Sequence, residues 1–522
     1  MTQAARPGLR PGDSRAMQRN YGTIPTMTSS DTTKQATLTA ILYLWLLLPL
    51  AGNAFANVTP ALHQYTITVS ADLEHMSVEA RFDGRVHSVA ARSPRAGRYL
   101  ADFQNCDDDP RLRMRNRRMI VPAEGIRCMS YTVNLRAAAS EQRQNRGLSA
   151  DNIIVSPALW LWRPEITHTS ELLVDFNLPT GINVAVPWQA LDEQRTTYRV
   201  RKSPENADVA AAFGRFDYHE IAVPGATLRV SLLRGETAVD HSELLRWVKA
   251  AATDVSLAYG RFPNPSPQVL VIPVAENSRR SGGAVPFGRV VRDGGESVEL
   301  YVDPAQPLSA FLNDWTAAHE FSHLMLPYVN RNHRWISEGF AQYYQNVLLA
   351  RSGTYDPQHA WQKLYEGYAR GRMSRPELSP NDAAEGGKRD ANMKVYWSGA
   401  ALALMADVAL REQSNGQQTL DSVLQLLQSC CLPSDRVWSG PELFATLDDL
   451  SGRTVFMPLY RRYADAAGFP DTSPVFAELG LKVEDGRVRL LRDANLMAIR
   501  SAITEVDSAT ASWRQQLASN IP

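Results

Sequence analysis

His319-Glu320-Phe321-Ser322-His323 sets two imidazoles four residues apart, with a carboxylate directly after the first. On an α-helix residues four apart share a face, so His319 and His323 can both turn toward one metal ion. Glu320, one position on, can reach a water at that metal without ligating it. That arrangement suits hydrolysis by an activated water.

A zinc centre of this kind needs a third protein ligand and an open position for water. Glu338, fifteen positions after His323, is the candidate. A third histidine ligand of the known spacing would need glycine at 326 and histidine at 329, where the chain has Leu326 and Val329. His333 lies in Asn-Arg-Asn-His-Arg and is expected to be a surface residue. The elements that must hold these groups are two helices. The first is expected to start at Ser309 or at Asn313-Asp314, to pack through Leu312, Trp315 and Leu324, and to stop at Pro327. Ser337 is expected to cap the second, which would put Glu338 in its first turn. Phe340, Tyr343, Tyr344, Val347 and Leu348 keep a helical period, and Gly353 sits where a C-terminal glycine belongs.

HEFSH followed by Trp335-Ile-Ser-Glu-Gly-Phe-Ala-Gln-Tyr-Tyr344 resembles the gluzincin metallopeptidases, the clan of thermolysin and aminopeptidase N. The resemblance implies Glu338 as third zinc ligand. A second block, Tyr396-Trp-Ser-Gly399 and the apolar run to Arg411, then Gly416 and Thr419 to Gln425, is similar to the glycyl aminopeptidase branch. There a tyrosine three residues before the glycine donates a hydrogen bond to the tetrahedral intermediate, and Tyr396 matches it. Ser398 stands where lysine is usual, the loop between His323 and Glu338 is short for that branch, and no room is expected for its PDZ module. The likeness covers roughly residues 240–480. It implies one zinc ion, a peptide or protein substrate, and a thermolysin-like catalytic domain.

Composition sets the frame. The 522 residues are 44% hydrophobic and 21% charged, enough for two to four globular domains. Lys+Arg and Asp+Glu balance at 55 each, so no nucleic-acid partner is expected. Residues 36–56 hold an apolar run, Lys34 upstream and Asn53-Ala-Phe-Ala56, an export signal with cleavage before Asn57. A start at Met27 would make that signal an ordinary one. Periplasmic or secreted protein with no stable membrane insertion is expected, the alternative being an uncleaved N-terminal anchor, although the run is shorter than the ~20 residues a spanning helix prefers. Export permits disulfides, and Cys106 with Cys128 is the better pair, while Cys430 and Cys431 are read as buried or free thiols.

The fold class expected is α+β. Residues 1–56 form the extension and signal, 57–235 an antiparallel β-rich domain, 236–430 the catalytic domain and 431–522 a helical C-terminal segment. Tyr65–Ser70, Tyr131–Leu135, Glu171–Phe176 and Thr227–Leu233 are strand candidates. Arg111, Arg113, Arg115 and Arg117 alternate beside Asp107, Asp108 and Asp109, and read as a solvated strand face. Asp240 caps a helix to about Tyr259, two or three strands feed the first zinc-ligand helix, and Pro376–Gly387 reads as a surface loop. The expected function is an exported zinc peptidase with Glu320 as general base, leaning to an endopeptidase or oligopeptidase. The segment Gly282-Gly-Ala-Val-Pro-Phe-Gly-Arg289 holds no carboxylate for a substrate α-amine, which disfavours an aminopeptidase unless Glu276 serves. A non-catalytic zinc-containing binding protein is the rival from another class, and retention of Glu320 counts against it.

Overall fold

The computed structural model describes residues 60–519 except 107–112, 116–117, 141, 146–147, 207–208, 236–239, 275–282 and 388. The expected export signal, Arg111, Arg117, the three aspartates beside them, Gly282 and Glu276 lie outside the described residues.

The chain is α+β, as expected. Ala61–Val69 and His75–Val86 alternate buried and exposed residues, the pattern of strands with one wet face. They sit inside a seven-stranded sheet between Ser170–Asn177 and Ile126–Asn134. The dry face closes over Trp160, Trp162 and Trp188. Tyr65 and Tyr131 each bury a hydroxyl there and donate it to the Trp162 and Trp160 carbonyls, at 3.1 and 3.0 Å. Cys106 and Cys128 are disulfide-bonded, as expected.

A five-stranded sheet underlies the site, in the order Asp217–Val223, Ala226–Leu232, Gln268–Pro273, Glu296–Val302, Phe287–Arg292. Its first two strands come from the β-rich part of the sequence and pair directly into it. Gln268–Pro273 is buried throughout because both faces are covered. Val269, Val271, Val298 and Leu300 pack toward the helix His241–Ser256, capped by Asp240 as expected, and toward Phe321. Leu270, Ile272 and Tyr301 pack on the other side against a small sheet that includes Asn152–Val155 and Ala211–Gly214. Phe287–Arg292 is the edge strand.

The remainder is mainly helical, with one hairpin, Leu481–Glu484 and Arg487–Leu490. Pro376–Gly387, expected as loop, contains the helix Pro380–Gly386. Ser379 and Asp382 form a capping box, Pro380 takes the first turn, and Gly387 closes the helix at φ +56°. Cys430 and Cys431, read as thiols, are joined to each other at the end of the helix Leu420–Cys431. Asn392–Gln413 is the one described helix long and apolar enough to cross a membrane, and it is mostly buried in this core.

Candidate active site

Three helices converge. The motif helix, Thr316–Ser322, is buried along its whole length and continues as a 3-10 turn, His323–Met325. It is separate from the short helix Leu308–Leu312 before it. Asp314 starts it: one carboxylate oxygen accepts the Thr316 N–H at 2.7 Å and the other accepts the Val285 N–H at 3.2 Å. Thr316 returns its hydroxyl to the Val285 carbonyl at 3.2 Å. The start of the motif helix is thereby fastened to the segment that enters the edge strand.

The glutamate helix spans Arg334–Arg351, and Gly353 follows its end at φ +75°. It begins earlier than expected, because Asn330 caps a 3-10 turn, Arg331–His333, that runs into it. Glu338 therefore lies in the second turn. Ser337 is not the cap; its Oγ lies 2.9 Å from His323 Nδ1. That contact fixes the ring and leaves Nε2 to face Glu338. The tyrosine helix, Asn392–Gln413, crosses the glutamate helix where Gly339 meets Gly399. A Cβ on Gly339 would fall 2.2 Å from the Gly399 Cα. This close crossing brings Glu338, one residue before Gly339, together with Tyr396, three before Gly399.

All five predicted site residues meet. The His319 and His323 rings are 4.9 Å apart, and Tyr396 lies 6.0 Å from His319. Glu338 Oε2 is 3.4 Å from His319 Nε2 and 3.5 Å from His323 Nε2. Ligands at the zinc bond lengths of imidazole and carboxylate sit about 3.3 Å apart on a tetrahedron. The donor set therefore fits zinc, and all three ligand atoms lie within 4.8 Å of one another. His333, expected on the surface, points instead at Asn330 and Tyr460, away from this cluster.

The electrostatics differ sharply within the cluster. Burial pushes the Glu320 carboxyl up to about 7; His319 pulls against this, and Glu338 adds to it. Burial also pushes Glu338 up, but the two imidazoles outweigh it and hold the carboxyl well below the usual range. The charge of Glu338, then burial, raises the Tyr396 phenol. Gly288 of the edge strand packs directly on Glu320, where a Cβ would fall 2.5 Å from Glu320 Cγ. The sequence reading missed Ser337 as a histidine partner and the three close-contact glycines. Glycines 339 and 399 inside long helices carried a signal, because each costs about 1 kcal/mol there without a packing reason.

The sequence pattern of the M61 glycyl aminopeptidases matches residues 327–385, a stretch that includes Glu338. No curated protein matches the chain by sequence. Among solved structures, an aminopeptidase N family protein from Idiomarina loihiensis is similar with a TM-score of 0.58 at 13% identity, over 83% of this chain and 82% of that one. A mutant of a two-domain M1 zinc metallopeptidase bound to L-arginine gives 0.50 at 15% identity, over 79% and 95%. The M1 zinc metallopeptidase from Deinococcus radiodurans gives 0.47 at 15%, over 79% and 94%. The ligand geometry and the family match around Glu338 indicate a zinc metallopeptidase, and the fold is similar to that of the aminopeptidase N family protein.

Proposed function

We propose that the chain hydrolyses peptide bonds, with His319, His323 and Glu338 holding one zinc ion, Glu320 as general base and Tyr396 as oxyanion donor. The observation that carries this is the spacing of the two Nε2 atoms from Glu338 Oε2. Zinc held there supplies a Lewis acid that acidifies a water and polarises a carbonyl. Glu320, with its affinity for protons raised to near neutrality by burial, can take a proton from the attacking water and hand it to the leaving amine. Tyr396 keeps its phenolic proton and donates a hydrogen bond as charge develops on the carbonyl oxygen.

The edge strand supports an endopeptidase or oligopeptidase that binds an extended peptide. Arg289 on that strand is paired with buried Glu299 at 2.7 Å, and the segment from Gly282 to Arg289 offers no carboxylate to a substrate amine. The second reading, an aminopeptidase, is favoured by the M61 match over residues 327–385. One peptide with a free and with an acetylated N-terminus separates the two. Internal cleavage of both forms supports the first; stepwise release of single residues from the free form alone supports the second. Zinc-saturated protein that cleaves nothing in a broad peptide mixture would leave only the non-catalytic binding protein. The proposal includes export, supported by residues 36–56, and a mature chain starting at Asn57 is the check, whereas an intact N-terminus in a membrane fraction would favour the anchor.

A further inference from the structure

The edge strand presents less free backbone than its length suggests. Arg292 turns both backbone groups outward: its N–H donates to Asn206 Oδ1 and its carbonyl accepts the Asn206 N–H, each at 2.7 Å. In an antiparallel ladder alternate residues turn both groups to the same side. Gly288 and Val290 therefore also face outward, while Phe287, Arg289 and Val291 pair inward with Tyr301, Glu299 and Ser297. Among the described residues nothing bonds to the outward groups of Gly288 and Val290. Before Phe287 the edge is closed, because Asp314 and Thr316 occupy the backbone of Val285. Gly288, lying on Glu320, marks the reacting end, and Asn206 marks the far end.

Asn206 is held as a bar across that far end. Its Nδ2 donates to the Tyr328 hydroxyl at 3.2 Å, just past the motif helix, so it spans from the edge strand to the loop after that helix. The segment that carries it is anchored to the tip of the edge hairpin. Ser203 Oγ accepts the Gly294 N–H at 2.6 Å, and Glu205 pairs with Arg163 at 2.8 Å and with Arg92 at 3.1 Å. Arg92 in turn pairs with buried Asp293 at 2.5 Å.

We propose that Asn206 is a stop that limits the substrate to a few residues on the amino side of the cleaved bond. This rests on the peptidase reading above. An antiparallel peptide, whose hydrogen bonds to an edge are the straighter and stronger kind, runs with its amino end toward Arg292. Between the Gly288 level and the position Asn206 occupies it has room for about three residues at ~3.4 Å each. A fourth would have to displace Asn206 from Arg292 and Tyr328. The chain is thus an oligopeptidase whose cleft is short on the amino side, while on the carboxyl side the peptide leaves the edge strand at Phe287, where Asp314 and Thr316 take up the Val285 backbone.

The test uses the zinc-loaded full chain and peptides with one cleavable core, lengthened residue by residue on the amino side or on the carboxyl side, each with free and acetylated N-termini. Lengthening past the limit on the amino side should lower kcat/KM by about tenfold or more, and lengthening on the carboxyl side should not. Binding of the same series to Glu320→Gln protein, by calorimetry, should break at the same length. Asn206→Ala should raise the ratio of long to short cleavage, whereas a merely structural role would lower both together. A kcat/KM indifferent to amino-side length, a limit on the carboxyl side, or single-residue trimming of long peptides would each overturn the stop while leaving a peptidase. No cleavage at any length would overturn the peptidase reading and the stop with it.

Discussion

Glu320 and Glu338 are carboxylates in one cleft whose surroundings drive them apart. Burial raises Glu320 toward neutrality, while the imidazoles keep Glu338 ionised, so one is fitted to move a proton and the other to stay a ligand. Glu320→Gln should keep stoichiometric zinc and lose about 10²–10⁴-fold in peptide hydrolysis, read by metal analysis and a cleavage assay on the same sample. His319→Ala, His323→Ala and Glu338→Ala should each lose the metal; full occupancy in the Glu338 variant would show that the third ligand lies elsewhere. Ser337 acts only through His323 Nδ1. Removing its hydroxyl in Ser337→Ala should weaken zinc affinity by about 10–100-fold and spare the fold, checked by competition with a chelator and by circular dichroism.

At the scale of elements, the site depends on how closely the glutamate and tyrosine helices cross. Gly339→Ala would put a methyl group onto the Gly399 backbone, where no flexible side chain can yield. The helices must part, which should cost about 1–3 kcal/mol of stability and draw Tyr396 away from Glu338. Chemical unfolding gives the first quantity, and the loss of kcat with zinc content held constant gives the second. Unchanged stability would show that the crossing tolerates a Cβ. The ligand spacing, the helical periods and the Asp240 cap were legible in the sequence because each is a local pattern. Ser337 was misread for a physical reason: a serine before an apolar helical run is a sound cap, and only the tertiary approach of His323 recruits its hydroxyl. Likewise the packing of Gly288 on Glu320 arises only where the motif helix is laid against the edge strand, a tertiary approach that no local pattern carries.

For the whole molecule, the strands from the β-rich part that enter the catalytic sheet, and the C-terminal helix that reaches back to the helix covering it, were not legible, because no local pattern specifies a long-range pairing. Asp254, on the helix that covers the catalytic sheet, is 1% exposed and lies 2.9 Å from Arg514 of the helix Ser508–Ser519. Arg514 also donates to the Leu312 carbonyl at 2.8 Å, just ahead of the motif helix. Burial pushes the Asp254 carboxyl up to about 7, with Arg514 pulling against it. Its ordinary value is 3.8, so the folded state holds the proton more tightly than the unfolded chain does. The stabilisation this gives is complete below about pH 4, is lost as the pH rises toward 7, and changes no further above that. Asp254→Asn removes the titration and leaves the other groups in place. The wild-type Tm minus the variant Tm should therefore fall steadily from about pH 4 to about pH 7 and then level off. A difference that stayed constant, or that grew with pH, would show that Asp254 is ionised throughout and that its pairing with Arg514 outweighs burial.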